Sequence, residues 1–356
     1  MRYLGMDVHA KSTVWCLLNA QGEVVGQGRV ETSATALGTL VRELSPTEEV
    51  WAGQEVGTMT YLVHDTVTTA GSAILSFNAH QLRMIAASRK KTDRRDAYWI
   101  AKALQSGMYP HPVYIPSGAI RELRALLSRR RLLQAEYNRW RYRARAYLRA
   151  AGCPAARGAA ALRRAVAREG RSGEGSVPLL GEALALCERQ EAVLRRELQQ
   201  LDAQVAARAR TIEPIARLTT LPGVGALVAA TMYAWVGDVR RFPNAKALAA
   251  YAGLVPSVRQ SGGAAHYGEI TKQGAKALRA TLVQAAHVLL SRCRGAEAVP
   301  LQAIGTRIRT SRGRRKIAIV AVARHLLRLG YYLLRDGTTY DPQRVHGEDQ
   351  VTSPAA

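Results

Sequence analysis

The chain has 356 residues, enough for two or three domains around a sizeable core. Apolar residues make up 47% of it, which excludes a disordered basic tail. Lys and Arg outnumber Asp and Glu by 51 to 27, a formal charge of +24 that destabilises the compact state unless a polyanion relieves it. Nucleic acid is therefore the first candidate partner and an anionic membrane surface the second. Arginine greatly exceeds lysine, which suits bidentate phosphate contacts. Cys16, Cys153, Cys187 and Cys293 are far apart and form no CxxC pair, so neither a zinc site nor a disulfide framework is expected. "MRYLGMDVHAKS" has no apolar core of a signal peptide, and no apolar run of about 18 residues suggests a span. The basic helices lack a broad apolar face, which argues against membrane-surface binding. The expected location is the prokaryotic cytoplasm, in association with the nucleoid.

Residues 1–112 read as α/β. "RYLGMDV", "TVWCLLN" and "EVVGQGRV" are short β-rich runs, the last two divided by the turn "AQGE". "TALGTLVREL" reads as a helix, "EEVWAGQEV" as a fourth strand, "TYLVHDTVTTAG" as a helix closed by glycine, and "SAILSFN" as a fifth strand. A three-stranded meander followed by alternating helix and strand is the order of an RNase H-like fold.

Residues 113–212 read as an arginine-rich helical region, two long helices forming a hairpin or coiled coil. The first runs from about Ser117 to Gly152, with Leu123, Leu126, Leu127 and Leu133 as its apolar stripe. Between Arg121 and Arg171 there are 15 arginines against three glutamates, interleaved with Tyr137, Trp140 and Tyr147. That composition fits a nucleic-acid-facing surface as well as it fits a solvated dimerisation stalk. Arg129, Arg130, Arg131, Arg141 and Arg145 are the candidate contacts. Residues 213–340 form a third, mainly helical region, and 341–356 read as a disordered tail.

Four acids stand out. Asp7 ends the first strand, where an α/β sheet presents chemistry, although a turn Asp would look the same. Glu55 ends the fourth strand among apolar neighbours, where an unpaired carboxylate is costly. Asp93 and Asp96 in "SRKKTDRRDAYWIAKAL" are three apart, on one helix face or in a helix cap and first turn. Together they make an ordered D-E-D-D set, whose hard oxygen donors suit Mg²⁺ or Mn²⁺. Lys90, Lys91, Arg94 and Arg95 beside them are candidate phosphate contacts.

In the third region, "LPGVG" resembles the turn of a helix-hairpin-helix, in which Gly223 and Gly225 would let backbone amides approach a phosphate; a tight helix–helix turn reads the same way. In "VPSVRQSGGAAHYGEITKQG", Ser261 precedes two glycines that admit a scissile phosphate, with Arg259 and Lys272 nearby. Ser257 is a competing nucleophile.

With these segments assembled, the chain resembles the insertion-sequence transposases that pair an N-terminal DEDD RuvC-like domain with a C-terminal serine (Transposase_20-like) domain, the bridge-RNA-guided recombinases. "GMDVHAKS", "QEVGTMTY", "KKTDRRDAYWIA", "LTTLPGVGALVAATMYAWVGD", "FPNAKALAAYAGLVPSVRQSG" and "GEITKQGAKALRATLVQAA" carry the likeness, in order along nearly the whole chain. The resemblance implies Mg²⁺ (or Mn²⁺) held by Asp7, Glu55, Asp93 and Asp96, and a phosphoserine formed by Ser261. It also implies donor and target DNA as substrates, an element-encoded non-coding RNA as guide, and a homodimer assembling to a homotetramer. The glutamate motif departs from the usual E-A-T-G, reading "EVGT", and the segment after the serine carries fewer cations than is usual. A metal-dependent nuclease of the Holliday-junction type and a catalytically inactive RNA- or DNA-binding protein are the competing readings.

Overall fold

A computed structural model describes residues 1–45, 48–85, 92–150, 176–261 and 264–343. The chain forms two compact units, Met1–Ser117 and Gly118–Ala356. The expected disordered tail falls mostly outside the described residues, as does the connector after residue 150.

In the first unit the β-rich runs become strands β1 (Arg2–Val8), β2 (Ser12–Leu18) and β3 (Val24–Glu31), joined as an antiparallel meander. Helix α1 (Ala34–Leu44) leads to β4 (Val50–Glu55), and α2 (Thr60–Thr69) leads to β5 (Ala73–Phe77). α3 (Ala79–Ile85) and α4 (Asp93–Ser106) follow. The sheet order is β3-β2-β1-β4-β5, with β1, β4 and β5 parallel. The result is a mixed five-stranded sheet in the element order expected from the sequence.

The two-residue alternation of strand side chains sorts this sheet into two faces. Leu4 and Met6 of β1 join Leu37, Val41, Val63 and Val67 in a core beneath α1 and α2. The intervening residues Gly5 and Asp7 look the other way, toward α4. There Val14, Cys16 and Leu18 pack on Ala97 and Ala101. Gly5 and Gly53, directly paired across β1 and β4, let α4 lie on the strand backbones. A Cβ on Gly5 would stand 2.0 Å from the Ala97 carbonyl oxygen.

The second unit is mainly helical. α5 (Gly118–Ala150) and α6 (Ser176–Thr211) pack antiparallel, as the contacts Arg130–Asp202 and Tyr137–Arg195 show. α7 (Glu213–Leu218), α8 (Ala226–Val236) and α9 (Ala245–Tyr251) precede a two-stranded hairpin, β6 (Pro256–Ser261) and β7 (Ala264–Ile270). α10 (Lys276–Arg292), α11 (Val299–Arg312) and α12 (Arg315–Asp336) close the unit. One core runs through it: Leu123 and Leu127 of α5 and Val205 and Ala209 of α6 are buried with Met232, Leu282, Leu326 and Leu327. The two long helices thus share their root with the C-terminal helices.

By length and composition α12 is apolar enough to cross a membrane, although Arg324, His325 and Arg328 interrupt its apolar run. Half of its apolar stretch is buried, and Val322, Ala323, Leu326, Leu327 and Tyr331 all lie in this core.

Candidate metal centre and serine hairpin

Asp7 is the penultimate residue of β1, and pairing carries its row across the sheet: Asp7 is opposite Val14, and Val14 is opposite Arg29. Residues aligned this way share a face, and the burial of Val14 against Ala97 identifies it as the α4 face. α4 runs back over β1, so its first turn, with Asp93 and Asp96, reaches the carboxyl end of the strand where Asp7 stands.

Three side chains meet there. His9 Nε2 lies 3.2 Å from Asp7 Oδ2 and 3.6 Å from Asp93 Oδ2. One donor atom from each of Asp7, His9 and Asp93 falls within 4.8 Å of the others, a grouping able to hold a metal ion. Arg29 donates to Asp93 Oδ2 at 3.3 Å. Burial pushes the Asp7 carboxyl above its ordinary value; His9 pulls it down, and the negative charges of Asp96 and Asp93 add to the rise. Two carboxylates and an imidazole gathered at this spacing are a donor set that fits a divalent ion.

Glu55 is the last residue of β4. The parallel register pairs Met6 with Gln54, so one step on Glu55 stands level with Asp7 and on the same face. Its neighbour Gln54 is buried and donates to the Thr60 carbonyl and to Ser76 Oγ, which fixes the strand end. All four acids predicted from the sequence therefore belong to one end of one sheet and the helix that covers it. The closest grouping contains two of them, Asp7 and Asp93, together with a histidine.

Ser261 ends β6, paired with Ala264, so it occupies the tip of a hairpin and not an extended glycine-rich loop. Gly262 and Gly263 lie outside the described residues, as do the side chains of Ser261 and Arg259. The competing Ser257 donates its hydroxyl to the Glu269 carbonyl at 3.0 Å, a cross-strand role that occupies its proton. Lys272 is ion-paired with Glu269 at 2.7 Å.

Lys90 and Lys91 lie outside the described residues, whereas Arg94 and Arg95 are exposed on the first turn of α4. Arg129 and Arg130 link α5 to α6 through Glu197 and Asp202, and Arg131 is exposed. Arg141 lies over the Tyr137 ring and Arg145 over Tyr142, both with open faces toward solvent. Gly223 adopts a left-handed φ of 76° in the turn between α7 and α8, and Gly225 caps α8.

Two residues of the acidic site were not singled out from the sequence, His9 and Arg29. His9 carried a signal, since it stands two after Asp7 in "DVH" and so projects to the same side. Arg29 is brought in by strand register alone.

Residues 4–152 match the transposase family DEDD_Tnp_IS110, and residues 215–299 match Transposase_20, the transposase IS116/IS110/IS902 family. An insertion element IS110 uncharacterized 43.6 kDa protein of Streptomyces coelicolor is 30% identical over 48% of the chain. A pilin gene-inverting protein of Moraxella lacunata is 34% identical over 36% of it. The chain spans 39% of the length of each of these two relatives. A solved Thermus thermophilus RuvC structure aligns along its whole length with 32% of the chain, at 14% identity and a TM-score of 0.25. Matched in order by an N-terminal and a C-terminal transposase region over more than half of its residues, the chain belongs to the IS110/IS116 family of transposases.

Proposed function

We propose that the chain is an insertion-sequence transposase that cuts and rejoins DNA through Ser261, assisted by a divalent cation held at Asp7, Glu55, Asp93 and Asp96. The observation that carries this reading is the meeting of Asp7 and Asp93 at the carboxyl end of β1, in a chain of net charge +24. A bound Mg²⁺ or Mn²⁺ would polarise a phosphoryl oxygen and stabilise charge on a departing sugar oxygen. The chain's own residues do the rest. Ser261 Oγ bonds to phosphorus as a bridging sugar oxygen leaves with a proton, and attack by an incoming sugar hydroxyl reverses the step to reseal a strand. The hydroxyl of Ser257 is engaged with Glu269, which supports Ser261 as the nucleophile.

The reading extends to partners. Donor and target DNA are the substrates, and an element-encoded non-coding RNA pairs with both, bound through the arginine-rich face of α5 by backbone and shape. A homodimer assembling to a homotetramer supplies the serine of one copy to the acids of another.

Incubation with supercoiled plasmids carrying cognate sites tests the reading. Wild type is expected to form a protein–DNA adduct and recombinants, and Ser261→Ala neither. Undiminished cleavage by Ser261→Ala would leave the metal-dependent nuclease, full recombination by Asp7→Ala would make the acidic cluster a spectator, and neither cleavage nor recombination by wild type would leave a binding protein. RNA co-purifying with the protein is expected to match the flanks of its own gene.

A further inference from the structure

We propose that His9 is itself a ligand of the divalent cation, so that the centre carries a nitrogen donor and binds Mn²⁺ more tightly than Mg²⁺. This inference rests on the metal-dependent reading above and goes beyond its four acids.

His9 is built into the sheet end. Its backbone N–H donates to the Ser12 carbonyl at 3.1 Å. Its carbonyl accepts from Thr32 Oγ1 at 2.8 Å, and that hydroxyl shares a second hydrogen bond of 2.9 Å with Thr13. Thr13 and Thr32 are both buried, so two interior hydroxyls hold the backbone from which the imidazole projects. A site residue whose backbone is pinned in this way starts close to its working geometry.

The donor spacing is that of ligands on one ion. Around an octahedral ion with ligand distances of about 2.1 Å, adjacent donor atoms lie about 3 Å apart. His9 Nε2 is 3.2 Å from Asp7 Oδ2 and 3.6 Å from Asp93 Oδ2, so the imidazole stands to both carboxylates at about the spacing of adjacent ligands. Arg29 donates to Asp93 Oδ2, as an orienting partner of a ligating carboxylate would.

A site of carboxylates alone suits Mg²⁺; an imidazole donor moves its preference toward Mn²⁺ and later first-row ions. The competing role for His9 is an ion-pair bridge that fastens α4 to β1 and turns aside when a metal enters.

Pulsed electron paramagnetic resonance of the full-length, tag-free protein with substoichiometric Mn²⁺ separates the two. Wild type is expected to show ¹⁴N coupling from an imidazole. His9→Gln is expected to lose that coupling and to weaken Mn²⁺ binding at least about 10-fold, as loss of a donor or its support does, with a smaller change for Mg²⁺. Asp7→Asn reports on the centre as a whole. If Mn²⁺ binds, Asp7→Asn abolishes binding and wild type shows no ¹⁴N coupling, the His9 proposal is overturned and the metal reading stands. Coupling that survives in His9→Gln also overturns it, because another histidine is then the donor. If wild type binds no Mn²⁺, or Asp7→Asn binds it equally well, the metal reading itself fails.

Discussion

Gly5 lies directly against Ala97, with 2.0 Å between the place of a missing Cβ and the carbonyl oxygen of the helix. The absence of a side chain on β1 sets how closely α4 approaches the sheet, and so where Asp93 and Asp96 stand over Asp7. Gly5→Ala is expected to cost stability at the upper end of about 1–3 kcal/mol, because the obstructing atom is backbone. It should also weaken divalent-cation binding by moving the first turn of α4. Gly118→Ala, where a Cβ meets nothing within 4 Å, is the control and should do neither. Thermal melts with and without Mn²⁺ measure both effects; equal melts for the two variants would contradict this account of the helix position.

Asp7 gives the centre a pH signature. Its carboxyl titrates above its ordinary value, chiefly through burial and then through Asp96 and Asp93 against the pull of His9. A carboxyl whose folded value is raised binds its proton more readily in the native state, so its ionisation lowers stability as pH rises through that interval. Below the unfolded value both states are protonated and the penalty vanishes. Asp7→Asn is therefore expected to be more stable than wild type at neutral pH without metal, with the advantage fading toward acid. Saturating Mn²⁺ should stabilise wild type by mass action and leave the variant unmoved. Denaturant titrations across pH read this out, and a variant less stable than wild type at pH 7 would count against it.

The sheet was readable because its strands are short β-branched and apolar runs divided by turns, as in "TVWCLLN" followed by "AQGE". The glycine of "LGMDV" was not readable as a helix contact, since only the packing of α4 shows what its side chain would strike. Asp7, Glu55, Asp93 and Asp96 could be picked out because buried or clustered acids are conspicuous in so basic a chain. Arg29 could not, for in "VVGQGRVE" it looks like any exposed residue of an outer strand until register sets it two strands from Asp7. The strands of the hairpin β6–β7 were not legible because their alternation is weak, although two glycines between short runs are a recognised hairpin signal.

The two serines of that hairpin are expected to behave differently. Ser257→Ala removes one exposed hydrogen bond to Glu269, a loss of less than about 1 kcal/mol, and should leave strand exchange within a few-fold of wild type. Ser261→Ala should keep the melting temperature, Mn²⁺ affinity and DNA affinity of wild type while abolishing the covalent adduct. A denaturing gel that resolves protein–DNA conjugates makes the comparison. An adduct formed by Ser261→Ala and missing from Ser257→Ala would exchange the roles assigned to them.

Arg94 and Arg95 are exposed on the first turn of α4 beside the acids, and the proposed function makes them contacts to the phosphates that flank a strand being cut. Each phosphate contact to duplex DNA releases condensed counterions and adds roughly 0.9 to the slope of log K against log salt. Replacing both by glutamine is expected to lower that slope by about 2 and to weaken binding to unrelated duplexes equally, because phosphate contacts carry no sequence information. Arg129→Gln is the contrasting variant, since its charge is already paired with Glu197 across the two long helices. It should lower the slope by less than one contact. Fluorescence anisotropy over a range of potassium chloride concentrations gives the slopes directly. An unchanged slope for the Arg94/Arg95 double variant would move the phosphate track away from the acidic centre, and with it the inference that the acids and these arginines serve the same strand.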